Sequence, residues 1–323
     1  LTLGIFNVWL GMNSLSAAAQ ISCIAFIFII VFIVLEKMAR QHRRYNDTSR
    51  RTVSLRPEKR GGLGGVTCLI ICATPIAIGF IIPVAVLLNF VLQGHSLALS
   101  GAVISAAFNT LLLSATVAIL VICTAAFMVL VFTYQGGRKL RLLVGLASIG
   151  YAFPGTILAI GVVTAGGAVD SGVATMLEAI FGLSYEGWLT SGIGLIVVAC
   201  AIRFQAVGYG AMTSGMERLP PNMMNASRVM GRSFGYSLKA IIMPLVKVPV
   251  LAGGLLVFID VTKELPMTLL LRPFNYETLA TYVYQFAKDE LLEEAALPAL
   301  IIIVVGVLPV IVMNAAIRRS IKH

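Results

Sequence analysis

Three charged side chains lie close together in an apolar stretch near the end of the chain: Asp260, Lys263 and Glu264. We place this stretch, residues 248–270, across a membrane. A charge at the middle of a membrane helix costs roughly 2.5–3.5 kcal/mol on insertion scales. The trio therefore predicts a bundle interior or a water-filled cavity beside it. On a helix, Asp260 would meet both Lys263 and Glu264, which follow three and four residues later.

Two interpretations of this trio remain open. In the first, Asp260 and Lys263 form a local ion pair that holds the turn at Pro266. In the second, the carboxylates of Asp260 and Glu264 line a path and interact with a hard cation, which prefers oxygen ligands. These two carboxylates are weak candidates for a metal site, which is otherwise unknown. The sequence contains no phosphate-binding loop of the Gly-x-x-x-x-Gly-Lys-Ser/Thr type and no nucleophile–base pair, so we predict no catalytic residue and no bound cofactor.

The composition is that of a membrane protein. Of the 323 residues, 59% are hydrophobic and 12% are charged, whereas soluble domains carry about 25% charged residues. Residues 61–137 contain no Asp, Glu, Lys or Arg. A membrane helix needs roughly 20 apolar residues, so this stretch alone crosses at least twice. The sequence therefore predicts an all-α integral membrane protein in a lipid bilayer.

Seven apolar stretches are long enough to span. We place them at residues 15–35, 64–92, 102–132, 142–165, 189–209, 248–270 and 297–317. The segments that alternation puts on one side are 36–63, 133–141, 210–247 and the C-terminus, and they hold 20 of the 24 Lys and Arg residues. The positive-inside rule makes that side, and the C-terminus, cytoplasmic. The same alternation explains the net charge of +10 without nucleic-acid binding.

Two segments outside the spans have local structure of their own. Residues 276–292 mix aromatic and charged side chains, which predicts an amphipathic helix at the outer interface. In the inner loop 210–247, Pro220 and Pro221 favour the start of a short helix and Gly231 favours its end in a left-handed conformation. Ser233 is placed to cap a second helix, which Pro244 interrupts.

The inner loop carries a spaced motif. Its residues are Asn225, Ala226, Ser227, Gly231, Ile241, Met243 and Pro244. This spacing resembles the loop of the membrane subunits of binding-protein-dependent ABC importers, where the usual glutamate and leucine stand at the places of Asn225 and Met243. The resemblance implies that the short helix docks on a separate cytoplasmic ABC ATPase, which binds and hydrolyses ATP. This chain is then a transport subunit rather than an enzyme.

A second stretch resembles the ferric iron(III) permeases within that family. It runs from Asp260 through Lys263-Glu264-Leu265-Pro266 to Arg272-Pro273-Phe274, and Tyr151-Ala152-Phe153-Pro154-Gly155-Thr156 is also similar. The resemblance implies that iron(III) arrives on an extracytoplasmic solute-binding protein and crosses a bacterial inner membrane. The alternative cargo is a small organic solute such as a polyamine or thiamine.

Those permeases usually consist of two fused halves, and one inner loop of this kind is present here. The resemblance therefore implies a C-terminal half: a type I permease core of six helices at residues 64–323, preceded by one helix. Residues 1–35 would be the end of a preceding half, and residues 36–63 a basic cytoplasmic linker. The chain would pair with a second permease half or with another copy of itself.

Two other classes remain as alternatives. A secondary transporter or channel would contain an internal inverted repeat, which we do not find in the sequence. A membrane scaffold or a non-functional remnant would agree with the single half and with Asn225 in place of glutamate.

Overall fold

The structure is a computed structural model. It describes residues 4–5, 7–12, 14–41, 61–94, 100–135, 137, 144–145, 147, 149–182, 187, 190, 192–217, 219–220 and 223–321. Within these ranges the regular structure is helical and no β-strand occurs. Most of the basic linker predicted at 36–63, the turn at His95 and the loop around Arg138 lie outside the described residues.

The described part of the chain contains ten α-helices. They are α1 (Leu15–Gln41), α2 (Leu63–Leu92), α3 (Gly101–Gln135), α4 (Gly155–Phe181), α5 (Gly194–Met216), α6 (Met223–Val229), α7 (Phe234–Thr262), α8 (Pro266–Leu271), α9 (Leu279–Lys288) and α10 (Leu292–Ile321). Six of them, α2, α3, α4, α5, α7 and α10, are long and apolar enough to cross a membrane, and α1 contains a shorter apolar stretch, Ser16–Phe32. The predicted all-α membrane fold is therefore confirmed.

Two of the spans contain a π-helical turn just before a proline. The turn Ala77–Ile81 in α2 precedes Pro83, and the turn Leu238–Ile242 in α7 precedes Pro244. Proline cannot donate a backbone hydrogen bond, and its ring clashes with the carbonyl four residues earlier. A π turn absorbs this defect without ending the helix. Pro244 therefore does not interrupt the helix, contrary to the sequence prediction, and α7 runs from Phe234 to Thr262.

The fourth span differs most from its predicted position at 142–165. The helix begins at Gly155 and continues to Phe181, through residues expected in an outer loop. Pro154 is its N-cap. The residue before a proline is driven to an extended backbone, and Phe153 has φ −82° and ψ 137°. The helix can therefore begin only after Pro154.

The core lies where α3, α5 and α7 pack together. Glycines allow these helices to approach closely. A Cβ on Gly208 of α5 would lie 2.7 Å from Cγ1 of Val121, and one on Gly253 of α7 would lie 2.5 Å from Cβ of Ala211. Small residues at such crossings are the usual solution in membranes, where close packing replaces the hydrophobic effect between helices.

The outer segment contains the short helices α8 and α9. Helix α9 begins with a capping box in which Thr278 and Thr281 bond each other's backbone N–H groups. It packs against α3 and α10, with Leu279 fully buried and Lys288 exposed. This agrees with the predicted amphipathic helix at 276–292.

Candidate functional site

Helix α7 ends at Thr262 and α8 begins at Pro266, so the helical structure is interrupted at Lys263, Glu264 and Leu265. Pro266 explains the break. It has no N–H to donate to the carbonyl of Thr262, four residues earlier, and it is well suited to the first turn of a new helix. We call residues 260–266 the charged break. The single span predicted at 248–270 is therefore two helices.

The carboxylate of Glu264 is buried, with 6% of the side chain exposed. Its Oε1 accepts a hydrogen bond from Nη1 of Arg203 at 3.2 Å and another from the backbone N–H of Met267 at 3.1 Å. Arg203 lies on α5, so this ion pair joins two helices that are distant in sequence. The partner of Glu264 is thus Arg203, whereas the sequence placed Glu264 beside Asp260.

Sequence reasoning missed Arg203, although a signal existed. Arg203 and Lys263 are the two basic residues inside the predicted spans. A lone arginine in a membrane span requires an anionic partner or a cavity. The sequence could therefore have marked Arg203 as functional, but it could not name Glu264 as the partner across 61 positions.

Gly155 provides the room for this ion pair. A Cβ at Gly155 would lie 2.3 Å from Nη1 of Arg203 and 3.0 Å from Oε1 of Glu264. Any side chain here would push the guanidinium away from the carboxylate. Gly155 takes this place because α4 begins directly after Pro154. The stretch that resembled the iron permeases at residues 151–156 and the one at 260–266 therefore meet in space.

Asp260 and Lys263 form the second ion pair of the break. Oδ1 of Asp260 lies 3.0 Å from Nζ of Lys263, and the side chains are 21% and 63% exposed. This is the local pair that the first interpretation of the trio expected. Asp260 does not share it with Glu264, because the helix ends before Glu264 and the carboxylate turns toward α5.

Two contacts locate the charged break along the length of helices α3 and α5. Arg203 lies near the middle of α5, and it holds Glu264. The hydroxyls of Ser114 and Thr262 are 3.1 Å apart, and Ser114 lies near the middle of the α3 span. The charged break therefore lies level with the middle of these two apolar helices rather than at their ends.

The carboxylates do not form a metal site by themselves. Among the described residues, no group of three or more His, Cys, Asp or Glu side chains could hold a metal ion. Asp260 and Glu264 are each occupied by a basic side chain. A cation that bound either carboxylate would compete with the positive charge of Lys263 or Arg203.

The inner loop has the helix–turn–helix form that the sequence predicted, with tighter bounds than 210–247. Helix α5 extends to Met216 and α7 begins at Phe234. Between them, α6 ends at Val229, and the turn that follows contains Gly231, whose φ of +78° is left-handed. The N–H of Arg232 donates to the carbonyl of Ser227 at 3.1 Å, which closes a Schellman-type end.

Hydroxyl groups hold α6 against the start of α7. The Oγ atoms of Ser227 and Ser237 lie 2.6 Å apart, and both side chains are buried. Ser233 caps α7 as predicted, since its Oγ accepts from the N–H of Tyr236 at 3.4 Å. Ser237 was not among the candidate residues, because its role depends on the angle between the two helices.

The outer surface of this turn is apolar. Val229 is 89% exposed and Met230 is 79% exposed. The large apolar side chains exposed on or beside the turn are Val229, Met230, Phe234, Tyr236 and Met243; we call them the turn surface. Of the motif residues, Ala226 and Pro244 are also exposed and Ile241 is half-buried, whereas the side chain of Asn225 lies outside the described part of the chain.

Comparison with known proteins agrees with this architecture. A curated relative, "Fe(3+)-transport system permease protein FbpB 2" of Haemophilus influenzae, is 23% identical over 236 residues, which cover 72% of this chain and 44% of the relative. The chain thus spans less than half the length of that relative. The solved structure of a bacterial ABC transporter involved in the import of the acidic polysaccharide alginate superposes with a TM-score of 0.57 at 17% identity. The match covers 79% of this chain and 94% of that one, and it shows the shared fold.

The family comparison covers the part of the chain that contains both sites. Residues 130–323 match the family described as "Binding-protein-dependent transport system inner membrane component". These residues include the inner turn, α7 and the charged break. With six membrane-competent helices and this match over more than half of its length, the chain belongs to that family and is a multi-pass membrane permease subunit of an ABC importer.

Proposed function

We propose that this chain passes iron(III) from an extracytoplasmic binding protein across the bacterial inner membrane, driven by ATP hydrolysis on a separate chain. The iron assignment is supported by similarity to a protein named as an Fe(3+)-transport permease. The observation that carries the transport path is the charged break, where four ionisable side chains lie at membrane depth.

The inner turn is the proposed contact with the ATPase. A large exposed apolar surface on a soluble or cytoplasmic face marks a protein interface, and Val229 and Met230 are almost fully exposed. The turn is also rigid enough to transmit a displacement, because Ser227 is bonded to Ser237 at the start of α7. A push on α6 therefore acts directly on the helix that ends at the charged break.

The charged break is the proposed wall of the path. Non-helical backbone at membrane depth is tolerated where protein buries it or where it lines a water-filled cavity. An ammonium group at that depth also requires water or a counter-ion. Lys263 is 63% exposed in this chain, so we assign the space beside it to the path, opposite a second permease half or another copy of the chain.

The proposed orientation places the inner turn and the C-terminus in the cytoplasm. It is supported by the charge asymmetry of the loops, with 20 of 24 basic residues in the segments on that side. A cysteine introduced at exposed Asp289 should react with an impermeant reagent from outside, and one at exposed Phe234 should not. Reaction of both positions from the same side would contradict this orientation.

The test of the function is uptake of radioactive iron(III) by cells that contain the chain, its ATPase and its binding protein. We expect uptake to be lost in Gly231→Glu, because Gly231 has φ +78° and the added carboxylate would lie beside the turn surface. The protein should remain inserted and abundant. Gly182→Glu, at the end of α4, is the matched control, because Gly182 is also exposed, left-handed with φ +63° and in open space, and it lies away from the turn surface. Wild-type uptake by the Gly231 variant would contradict the assigned contact.

Two alternatives are outcomes of the same assay. Uptake of a labelled polyamine or thiamine in place of iron would move the chain to an organic solute. Uptake that survives ATP depletion but stops when the proton gradient is dissipated would indicate a secondary transporter. A crosslink from Ala226, which is exposed on α6, to the ATPase would support the ABC assembly.

A further inference from the structure

The four charged side chains of the break are not equally accessible. Their exposed fractions fall from 63% for Lys263 to 21% for Asp260 and Arg203 and 6% for Glu264. The most accessible charge is thus positive, and the least accessible is negative. Two basic and two acidic groups make the cluster neutral in total. The charge that it presents to the adjoining space therefore depends on which groups are most exposed.

Each carboxylate of the break is already paired with a basic group. Glu264 Oε1 is turned into the protein, where it accepts from both Arg203 and the N–H of Met267. Asp260 is held by the ammonium of Lys263 at 3.0 Å. A bare cation approaching the break would meet Lys263 first and would find both carboxylates already neutralised.

The ammonium of Lys263 is exposed in this chain, and a charge at membrane depth requires water or a counter-ion beside it. The contacts of Glu264 with α5 and of Thr262 with α3 place this residue level with the middle of these two membrane-competent helices. Lysines close to a helix end extend to the interface, but one near the middle cannot reach it. An exposed ammonium here faces an aqueous path, so the wall of that path carries the positive charge of Lys263.

We propose that the cargo crosses the break as an anion, with Lys263 as the residue that faces it. This rests on the proposed function and names the form of its cargo: iron(III) enclosed by anionic oxygen ligands, such as carboxylates or phosphates, rather than a bare cation. Hard ferric ions bind such ligands. The complex carries a net negative charge when the summed negative charge of the ligands exceeds the positive charge of the metal. Arg203 holds Glu264 out of the path and is a positioning residue.

The decisive experiment follows metal and ligand together. Cells with the complete transporter are given labelled iron(III) with carbon-14 citrate in one arm and with phosphorus-32 phosphate in another. Entry of iron with a fixed proportion of one labelled anion supports the proposal and identifies which anion accompanies the metal. Entry of iron with neither label overturns it.

Substitution of Lys263 tests the residue itself. Lys263→Gln removes the charged donor that would bind the anion, so uptake of the complex should fall about tenfold or more, and Lys263→Arg should retain it. The double variant Asp260→Asn with Lys263→Gln, which leaves no unpaired charge, should lose uptake equally. Lys288→Gln, an exposed lysine outside the break, is the control. Unchanged or increased uptake in Lys263→Gln would overturn the proposal, since removing a repulsive charge favours a bare cation.

The two proposals fail in different ways. If the wild type imports no iron, the iron assignment fails. The anionic cargo is then tested with labelled organic acids. Uptake of one of them that requires ATP and falls in Lys263→Gln but not in Lys288→Gln would support the proposal. If no anion behaves in this way, the proposal is wrong.

Discussion

The two ends of helix α7 have different proposed roles and are stabilised by different kinds of interaction. At its start, the inner turn is held by neutral hydroxyls, Ser227 to Ser237, and exposes apolar side chains. At its end, the charged break is held by two ion pairs, and one of them is buried against α5. A glycine supports each end: Gly231 by its left-handed backbone and Gly155 by the space it leaves.

The difference shows how one helix can link a protein surface to a polar path. Neutral hydrogen bonds tie α6 to α7, so this link itself adds no charge to the turn. The ion pairs at the other end stabilise charges that the bilayer would otherwise exclude. Both ends are joined by helical backbone from Phe234 to Thr262, so movement at the first displaces the second.

The largest effect should follow from removing Arg203. Arg203→Leu leaves the buried Glu264 without its charged partner, and breaking such a pair costs about 3–5 kcal/mol. We expect a marked fall in the midpoint of thermal unfolding in detergent. The double variant Arg203→Leu with Glu264→Gln should recover most of it. A single variant as stable as the wild type would mean that the pair at this end of α7 is not enclosed.

A smaller effect is expected at the inner turn. Ser237→Ala leaves the buried hydroxyl of Ser227 without its partner, at a cost of about 1–3 kcal/mol. Replacing both serines with alanine should cost less than the single change, because no polar group is then left unpaired. Limited proteolysis of the turn measures this directly. Equal protease sensitivity of the single variant and the wild type would remove the proposed hydroxyl link.

Backbone strain at Gly231 should come next. No atom of the described chain lies within 4 Å of a Cβ at this position, so Gly231→Ala tests φ +78° alone, at about 1–2 kcal/mol. Gly231→Asn should cost less, since asparagine tolerates the left-handed region. The measurement is again the thermal midpoint. If alanine and asparagine are equally tolerated, the turn does not depend on the left-handed conformation.

The smallest effect is expected for the exposed ion pair of the break. Asp260→Asn should change stability by about 0.2–1 kcal/mol, because Lys263 is 63% exposed and water screens the pair. Exchanging the two residues should restore the small loss. A destabilisation as large as that of Arg203→Leu would show that protein encloses both ion pairs, and it would remove the aqueous space on which the anionic cargo depends.

Patterns local in sequence gave much of the fold. Long apolar stretches indicated the spans, the cap at Ser233 and the end at Gly231 were predicted, and the amphipathic character of α9 agreed with observation. The span predicted at 142–165 was wrong, because hydropathy does not register that Pro154 starts a helix. The unbroken span at 248–270 was wrong for the same kind of reason at Pro266.

The sequence by itself determined the membrane location, the helical class and the residues of the inner motif, since each depends on composition or on neighbours within a few turns. The tertiary structure alone decided which charges meet. Arg203 comes from α5, Gly155 from the start of α4 and Glu264 from the break between α7 and α8, and their contact depends on how these elements pack. Packing also decided that Lys263, rather than a carboxylate, is the most exposed of the four charges, because burial is a property of the assembled bundle and not of any single helix.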